Sequence, residues 1–164
     1  MSDVRYRIAE CSLGQLLVAQ NPRGVCAVLL GDDRTTLLQE LRDWFPGARP
    51  ARMTEGPALA GQVFARIDSP AREPDPPLDL RGTAFQRRVW QALRRIPPGS
   101  TATYGDIARR IGMPGSARAV GRACATNRLA VLVPCHRAVR SDGGLAGYRW
   151  GVQRKRILLE REAT

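Results

Sequence analysis

This 164-residue sequence has no long apolar run, few cysteines and one histidine, and each shortage argues against a class of protein. No apolar run approaches the roughly 18 residues that cross a bilayer, so no membrane partner is expected. The first residues lack a basic segment followed by an apolar one, which argues against a secretory signal and favours the cytoplasm. The four cysteines are widely spaced and His136 is the only histidine, so we expect free thiols, no metal site and no cofactor.

Acidic residues are scarce in the second half of the chain. Residues 1–80 hold 9 arginines and 11 acids, whereas residues 81–164 hold 17 basic residues and 4 acids. Lys155 is the only lysine, and codon bias can explain that preference for arginine, but it does not explain the missing acids. A net charge of −2 on one half and +13 on the other favours a polyanionic partner for residues 81–164.

The first half is expected to be a small α/β domain over residues 1–80. Short, partly alternating apolar segments predict three strands, at residues 5–9, 14–20 and 24–30. The turn sequence between the last two predicts a hairpin. Helical spacing of apolar residues predicts helices over residues 33–45 and 59–67. Residues 68–77 are rich in proline and charge, which indicates a semi-rigid linker.

The second half, residues 81–164, is expected to be mainly helical. Thr83 and Gln86 form a capping-box sequence, which predicts a helix that ends before Pro97. A short helix over residues 105–111, a glycine-containing break and a helix over residues 117–125 predict a helix-turn-helix, with Ser116 as a plausible N-cap.

The helix over residues 117–125 has an unusual outward face. Arg118 and Arg122 lie there beside the small residues Ala117 and Gly121. Such a face can approach a nucleic-acid groove closely while offering cations to phosphates and bases. The alternative is a packing helix with solvated arginines.

The strongest chemical signal is the sequence Pro134-Cys135-His136-Arg137. The apolar residues 131–133 before it predict a buried strand, and a cysteine after a strand can project from an apolar platform. We expect His136 and Arg137 to favour the thiolate, which is the nucleophilic form. The alternative is an inert buried cysteine beside an incidental histidine.

The last helix carries two charged residues on its apolar stripe. At about 100° per residue, Lys155 and Glu162 lie in line with Val152, Leu158 and Leu159. Charges there cost free energy unless they are paired or used, so both are candidate functional residues. The alternatives are snorkelling of Lys155 and fraying at Glu162.

Further residues complete the neighbourhood of Cys135. Asn127 could fix the cysteine loop through hydrogen bonds to its backbone. Glycines around residue 147 could let a loop close over a flat ligand, with Tyr148 stacking on it.

Together these residues resemble the O6-alkylguanine-DNA alkyltransferase (methylated-DNA–protein-cysteine S-methyltransferase) family, and most closely the C-terminal half of its Ada-type members. The likeness covers essentially the whole chain, with matching segments that include residues 81–86, 117–121, 133–137 and 147–151, and the Pro-Cys-His-Arg sequence is its specific part. It implies a ribonuclease-H-like α/β domain followed by a mainly α-helical domain with a helix-turn-helix. The implied protein is a monomer.

The resemblance also implies an activity. This is direct DNA repair, in which an alkyl group, chiefly methyl, moves from O6-alkylguanine to Cys135, with O4-alkylthymine as a further candidate substrate. The transfer is irreversible, so one molecule acts once. The partner is double-stranded DNA, bound through the minor groove with the damaged base flipped out.

Roles carry over from the family by position. Cys135 is the acceptor, His136 takes its proton through a water, Glu162 holds the imidazole, and Asn127 supports the loop. Tyr104 and Lys155 aid departure of the guanine. The implied DNA contacts are Arg118, which fills the space of the flipped nucleotide, and Thr103, Ala117, Ala119 and Arg122. The implied base pocket consists of Cys124, Gly147, Tyr148 and Arg149.

Two positions depart from the family pattern. Arg128 follows Asn127 where many relatives have proline, and Ala138 replaces a larger aliphatic residue, which would widen the pocket.

Two rival functions stay open. A helix-turn-helix regulator would bind DNA without consuming the Cys135 thiol, and a Cys-His hydrolase would turn over an ester or amide.

Overall fold

The computed structural model describes residues 3–50, 57–68, 75–145 and 147–163. The chain divides into two compact units. The first is Met1–Leu80 with Arg128–Ala130, and the second is Arg81–Asn127 with Val131–Thr164. Within the described ranges, every helix is too short or too polar to cross a membrane.

The first unit contains a mixed four-stranded sheet. Its strands are β1 (Arg5–Cys11), β2 (Gly14–Asn21), β3 (Gly24–Gly31) and β4 (Arg49–Pro50). Their order across the sheet is β3-β2-β1-β4. β1, β2 and β3 pair antiparallel, which confirms the predicted strands and hairpin, and β4 pairs parallel with β1. The short strand β4 was not predicted.

Two helices accompany this sheet, α1 (Arg34–Trp44) and α2 (Pro57–Asp68). Both were predicted to within a few residues. Asp33 caps α1 by accepting hydrogen bonds from the backbone of Thr35 and Thr36. The buried core of the unit is aliphatic and includes Leu16, Leu17, Val28, Leu29, Leu41, Val63 and Ile67. Of the predicted linker, Asp68 belongs to α2, and residues 69–74 lie outside the described residues.

Gly24 shows why the turn into β3 needs glycine. Its φ is +141°, and a Cβ atom there would lie 2.3 Å from the carbonyl oxygen of Pro77. The next residue, Val25, donates its backbone N–H to that oxygen at 2.8 Å. Any side chain at position 24 would break this close approach.

Residues 128–130 return to the first unit. The backbone N–H of Val28 donates to the Arg128 carbonyl at 2.8 Å, and the N–H of Ala130 donates to the Val28 carbonyl at 3.0 Å. The Arg128 guanidinium lies 4.5 Å from the ring centre of Trp44, a cation–π distance. Arg128 is therefore held by β3 and α1.

The second unit is mainly helical. It contains α3 (Ala84–Arg94), α4 (Tyr104–Arg110), α5 (Ala117–Ala125) and α6 (Val152–Glu162), with a 3₁₀ turn at Cys135–Arg137. The two-residue strands β5 (Ala102–Thr103) and β6 (Ala138–Val139) pair parallel. Buried residues from all four helices form the core, among them Val89, Leu93, Ile107, Val120 and Leu158.

The helix starts show what local sequence determines. The capping box at Thr83 and Gln86 is formed as predicted, and α5 has the predicted bounds. Ser116 does occupy the N-cap of α5, but its side chain makes no capping hydrogen bond. Its φ of −96° and ψ of 23° depart from the extended backbone that a capping side chain usually requires.

The strand predicted at residues 131–133 is wrong. These residues are fully buried, but they form turns, and β6 begins only after the cysteine turn. Val131 has a φ of 70°, a left-handed conformation that is uncommon for a β-branched residue. A short apolar run does not distinguish a buried strand from a buried turn.

Candidate active site

The candidate site is built around Cys135, the first residue of the 3₁₀ turn. The residue is only 4% exposed. The Asn127 side-chain amide donates to the Cys135 Sγ at 3.3 Å and to the Val133 carbonyl at 2.9 Å. The hydrogen bond expected between Asn127 and the loop backbone is therefore present, and the same amide also holds the sulfur.

The electrostatics of Cys135 differ from the expectation. Burial raises the pKa of the thiol to about 11, although Asn127, Lys155 and Arg149 lower it. The groups that favour the thiolate are thus not the neighbouring His136 and Arg137, whose side chains point to Glu162. At neutral pH the sulfur is protonated, so a reaction at Cys135 needs a proton acceptor.

His136 and Glu162 form a buried pair. The His136 Nε2 lies 2.9 Å from one carboxylate oxygen of Glu162 and 3.1 Å from the other. Burial lowers the pKa of His136 despite the carboxylate, so the imidazole is neutral at neutral pH. An ionised carboxylate only accepts hydrogen bonds, which places the proton on Nε2 and a lone pair on Nδ1. That Nδ1 is buried and has no hydrogen-bond partner among the described residues.

Arg137 holds the carboxylate in place. Its Nε and Nη2 each donate to Glu162 at 2.8 Å, and its Nη1 donates to the Ile96 carbonyl at 2.6 Å. Burial raises the pKa of Glu162, but the hydrogen bonds from Arg137 and His136 outweigh it and bring the pKa to about 2. The sequence did not predict this contact. The position of Glu162 on the apolar stripe of its helix indicated only that its charge would need a partner or a function.

Lys155 is fully buried, and its Nζ donates to the Ala138 carbonyl at 2.7 Å. Burial lowers the pKa of this amine, whereas Cys135 and Cys124 raise it. Neither snorkelling of Lys155 nor fraying at Glu162 occurs, because both side chains are buried and bonded. The helical phase of α6 correctly predicted that both face inward.

A cavity of about 430 Å³ opens beside Cys135. Tyr104 lines this cavity. Burial, and to a lesser degree the nearby thiols of Cys124 and Cys135, raises the pKa of Tyr104 to about 12, so its hydroxyl keeps its proton at neutral pH. The Tyr148 ring stands edge-on to His136, with 6.4 Å between ring centres. The Tyr148 hydroxyl is buried and has no partner among the described residues. The lining residues are Tyr104, Gly121, Cys124, Ala125, Cys135, Gly147, Tyr148 and Arg149.

The structure brings the candidate pocket residues together, since Cys124, Gly147, Tyr148 and Arg149 all line this cavity with Cys135. The Arg149 guanidinium donates to the Asn127 carbonyl, which ties the cavity wall to the residue that holds the sulfur.

The candidate DNA contacts lie on and before α5. Arg118 and Arg122 are exposed, and Ala117 and Ala119 are half-buried. The hydroxyl of Thr103 accepts a hydrogen bond from the backbone of Asp106 at 2.9 Å, so it caps α4. Gly121 belongs both to α5 and to the cavity wall, which joins the exposed helix face to the site.

The geometry describes a buried cysteine at the wall of a cavity, close in sequence to a buried imidazole–carboxylate pair and beside an arginine-bearing helix. Residues 84–164 match the family model described as 6-O-methylguanine DNA methyltransferase, DNA binding domain. The chain is 42% identical to the methylated-DNA–protein-cysteine methyltransferase of Mycobacterium tuberculosis, over 98% of this chain and 93% of that protein. It therefore belongs to the methylated-DNA–protein-cysteine methyltransferase family.

Two further comparisons show how much of each relative this chain matches. The bifunctional transcriptional activator/DNA repair enzyme Ada of Escherichia coli is 52% identical over 98% of this chain and 46% of Ada. The chain thus spans about half the length of this relative. The crystal structure of M. tuberculosis OGT in complex with DNA superposes with a TM-score of 0.81 at 38% identity, covering 97% of this chain and 92% of that one.

Proposed function

We propose that this protein repairs DNA by moving an alkyl group, chiefly methyl, from the O6 of guanine to Cys135, with O4-alkylthymine as a further candidate. The observation that carries the proposal is the Cys135 sulfur at the wall of the 430 Å³ cavity, held by Asn127 and bordered by α5. The family to which the chain belongs supports the same reaction.

In the proposed reaction, the Cys135 proton passes through a water to the Nδ1 lone pair of His136. Glu162 accepts a hydrogen bond from the Nε2–H and so stabilises the imidazolium that forms when Nδ1 takes the proton. The sulfur then attacks the alkyl carbon, a carbon–sulfur bond forms, and the carbon–oxygen bond breaks with its electron pair left on the guanine oxygen. The product is a thioether that ordinary cellular thiols do not reverse, so each molecule acts once.

The leaving base needs hydrogen-bond donors for its developing negative charge. Tyr104 retains its proton at neutral pH and lines the cavity, which suits it to donate to the base. Lys155 is bonded to the Ala138 carbonyl and favours the ionised sulfur, and in this proposal it serves as the second donor. No cofactor or metal is required by this chemistry.

The proposed substrate is double-stranded DNA, bound by a monomer through the minor groove. α4 and α5 would act as a helix-turn-helix, with Thr103, Ala117, Ala119 and Arg122 near the backbone and Arg118 filling the space of the flipped nucleotide. Flipping costs a few kcal/mol, which binding to the cavity and the phosphates must offset. The high positive charge of residues 81–164 supports this role.

The proposal also includes a domain assignment and a location in the cell. The sheet with α1 and α2 supports a ribonuclease-H-like domain over residues 1–80, with DNA binding and alkyl transfer assigned to residues 81–164. The proposed location is the cytoplasm.

The test is the intact mass of the protein after mixing with a duplex that contains O6-methylguanine. We expect a gain of one methyl group, absent in Cys135→Ala and retained in the matched variant Cys124→Ala. DNA binding without a change in mass would support a regulator instead. Continuous turnover of an ester with no adduct on the protein would support a hydrolase.

A further inference from the structure

A second cavity of the same unit lies between α3 and the end of α4, and it shares no lining residue with the cavity beside Cys135. Its volume is about 440 Å³, and its walls are Arg88, Gln91, Ala92, Arg95, Arg110 and Ile111. We call it the arginine groove. Among these lining residues, three carry a positive charge and none carries a negative one.

The groove lies on a different side of α3 from the side that packs against α5. The indole N–H of Trp90 donates to the Ala123 carbonyl at 2.9 Å, so the Trp90 side of α3 faces α5. At about 100° per residue, Arg88, Gln91 and Arg95 lie about 160°, 100° and 140° around the helix from Trp90. A duplex docked on the outer face of α5 therefore leaves the groove open.

The groove is also partly preorganised. The Arg88 guanidinium donates to the Ile111 carbonyl and lies 3.7 Å from the sulfur of Met113, which fixes it against the groove wall. The nearest carboxylate along α4, Asp106, is paired with Arg109. Arg95 and Arg110 are exposed, so their guanidinium groups are accessible to a ligand in the groove.

We propose that the arginine groove binds the phosphate backbone of a second nucleic-acid duplex while α5 holds the first. Planar guanidinium groups bind phosphate oxygens through paired hydrogen bonds, and the Gln91 amide adds a neutral donor. Charge complementarity selects a polyanion, since the groove lining contains three arginines and no acid and belongs to a segment, residues 81–164, with a net charge of +13. A protein with two such surfaces can pass between neighbouring DNA segments without full release.

This inference rests on the proposed function, because the first duplex is the one bound for repair. The experiment loads the full chain onto a short bead-bound duplex, washes the beads, and adds a fluorescent second duplex. The variant is Arg95→Gln with Arg110→Gln. The matched control is Arg87→Gln with Arg156→Gln, which removes two exposed charges outside the groove.

We expect the wild type and the control to capture the second duplex, and the groove variant to lose capture by about tenfold or more at 0.1 M salt. Methyl transfer from a single short duplex should be unchanged in the groove variant. The inference is overturned if the bead-bound wild type captures nothing, if both variants behave alike, or if methyl transfer falls in step with capture. A wild type that neither binds the first duplex nor gains a methyl group instead refutes the proposed function.

Discussion

Replacing Glu162 with glutamine tests the buried pair behind Cys135. The substitution keeps the size of the side chain but removes the negative charge that faces Arg137 and His136. Arg137, which is only 3% exposed, is left buried without its counterion. We expect lower stability and, because the imidazole loses its stabilising carboxylate, slower methyl transfer to Cys135 in a protein that remains folded.

The magnitude follows from the pKa of Glu162. A folded-state pKa of about 2, against an ordinary value of 4.5, favours the ionised carboxylate in the folded protein by about 3 kcal/mol. Because the pKa is lowered, this stability is fully present above pH 4.5 and is lost as the pH falls toward 2. About 1 kcal/mol of it should remain at pH 3.

Urea unfolding at pH 7 and pH 3 measures this effect, with Glu160→Gln as the matched control on the exposed side of the same helix. The gap between wild type and Glu162→Gln should shrink from about 3 kcal/mol to about 1 kcal/mol, whereas the control should stay within about 0.5 kcal/mol of wild type. A gap that is equal at both pH values would refute the electrostatic argument. Unchanged methyl transfer in the variant would remove Glu162 from the proton relay.

Three further predictions concern the same site. Arg118→Ala should slow repair of duplex lesions and leave reaction with the free O6-methylguanine base almost unchanged; equal losses on both substrates would refute its role in base flipping. Asn127→Ala removes the amide that bonds Cys135 and Val133, so the thiol pKa, followed by thiolate absorbance, should rise further and transfer should slow at least tenfold; a rate equal to wild type would contradict this. Because burial holds the pKa of His136 below 6.5, the rate of methyl transfer should stay level from pH 8 to pH 6.5 and fall only in more acidic buffer. A fall that begins above pH 6.5 would show that the imidazole is already protonated in the unreacted protein and would contradict this.

Local sequence patterns predicted those helices whose ends and buried faces are marked within their own sequence. The bounds of α5 follow from the glycine break before it and the spacing of its buried residues Val120, Ala123 and Cys124. The inward positions of Lys155 and Glu162 follow from helical geometry alone, since any residue in phase with Leu158 must face the core.

What could not be predicted depends on contacts between residues far apart in the sequence. The bond from Arg137 to Glu162 spans 25 residues, and no local pattern reports it. Adjacency suggested that Arg137 would ionise Cys135, but the turn directs its guanidinium elsewhere, and burial dominates the thiol pKa. The turns at residues 131–133 were mistaken for a strand because burial alone makes both apolar.

The return of residues 128–130 to β3 affects any attempt to divide this protein. β3 is the outermost strand of its sheet, and the backbone of Arg128 and Ala130 occupies hydrogen-bonding groups that would otherwise be open. A fragment that ends at residue 80 would present this apolar strand to other molecules as a template for pairing, and such exposed strands promote aggregation. A soluble version of that fragment would need a charged residue or proline introduced along β3.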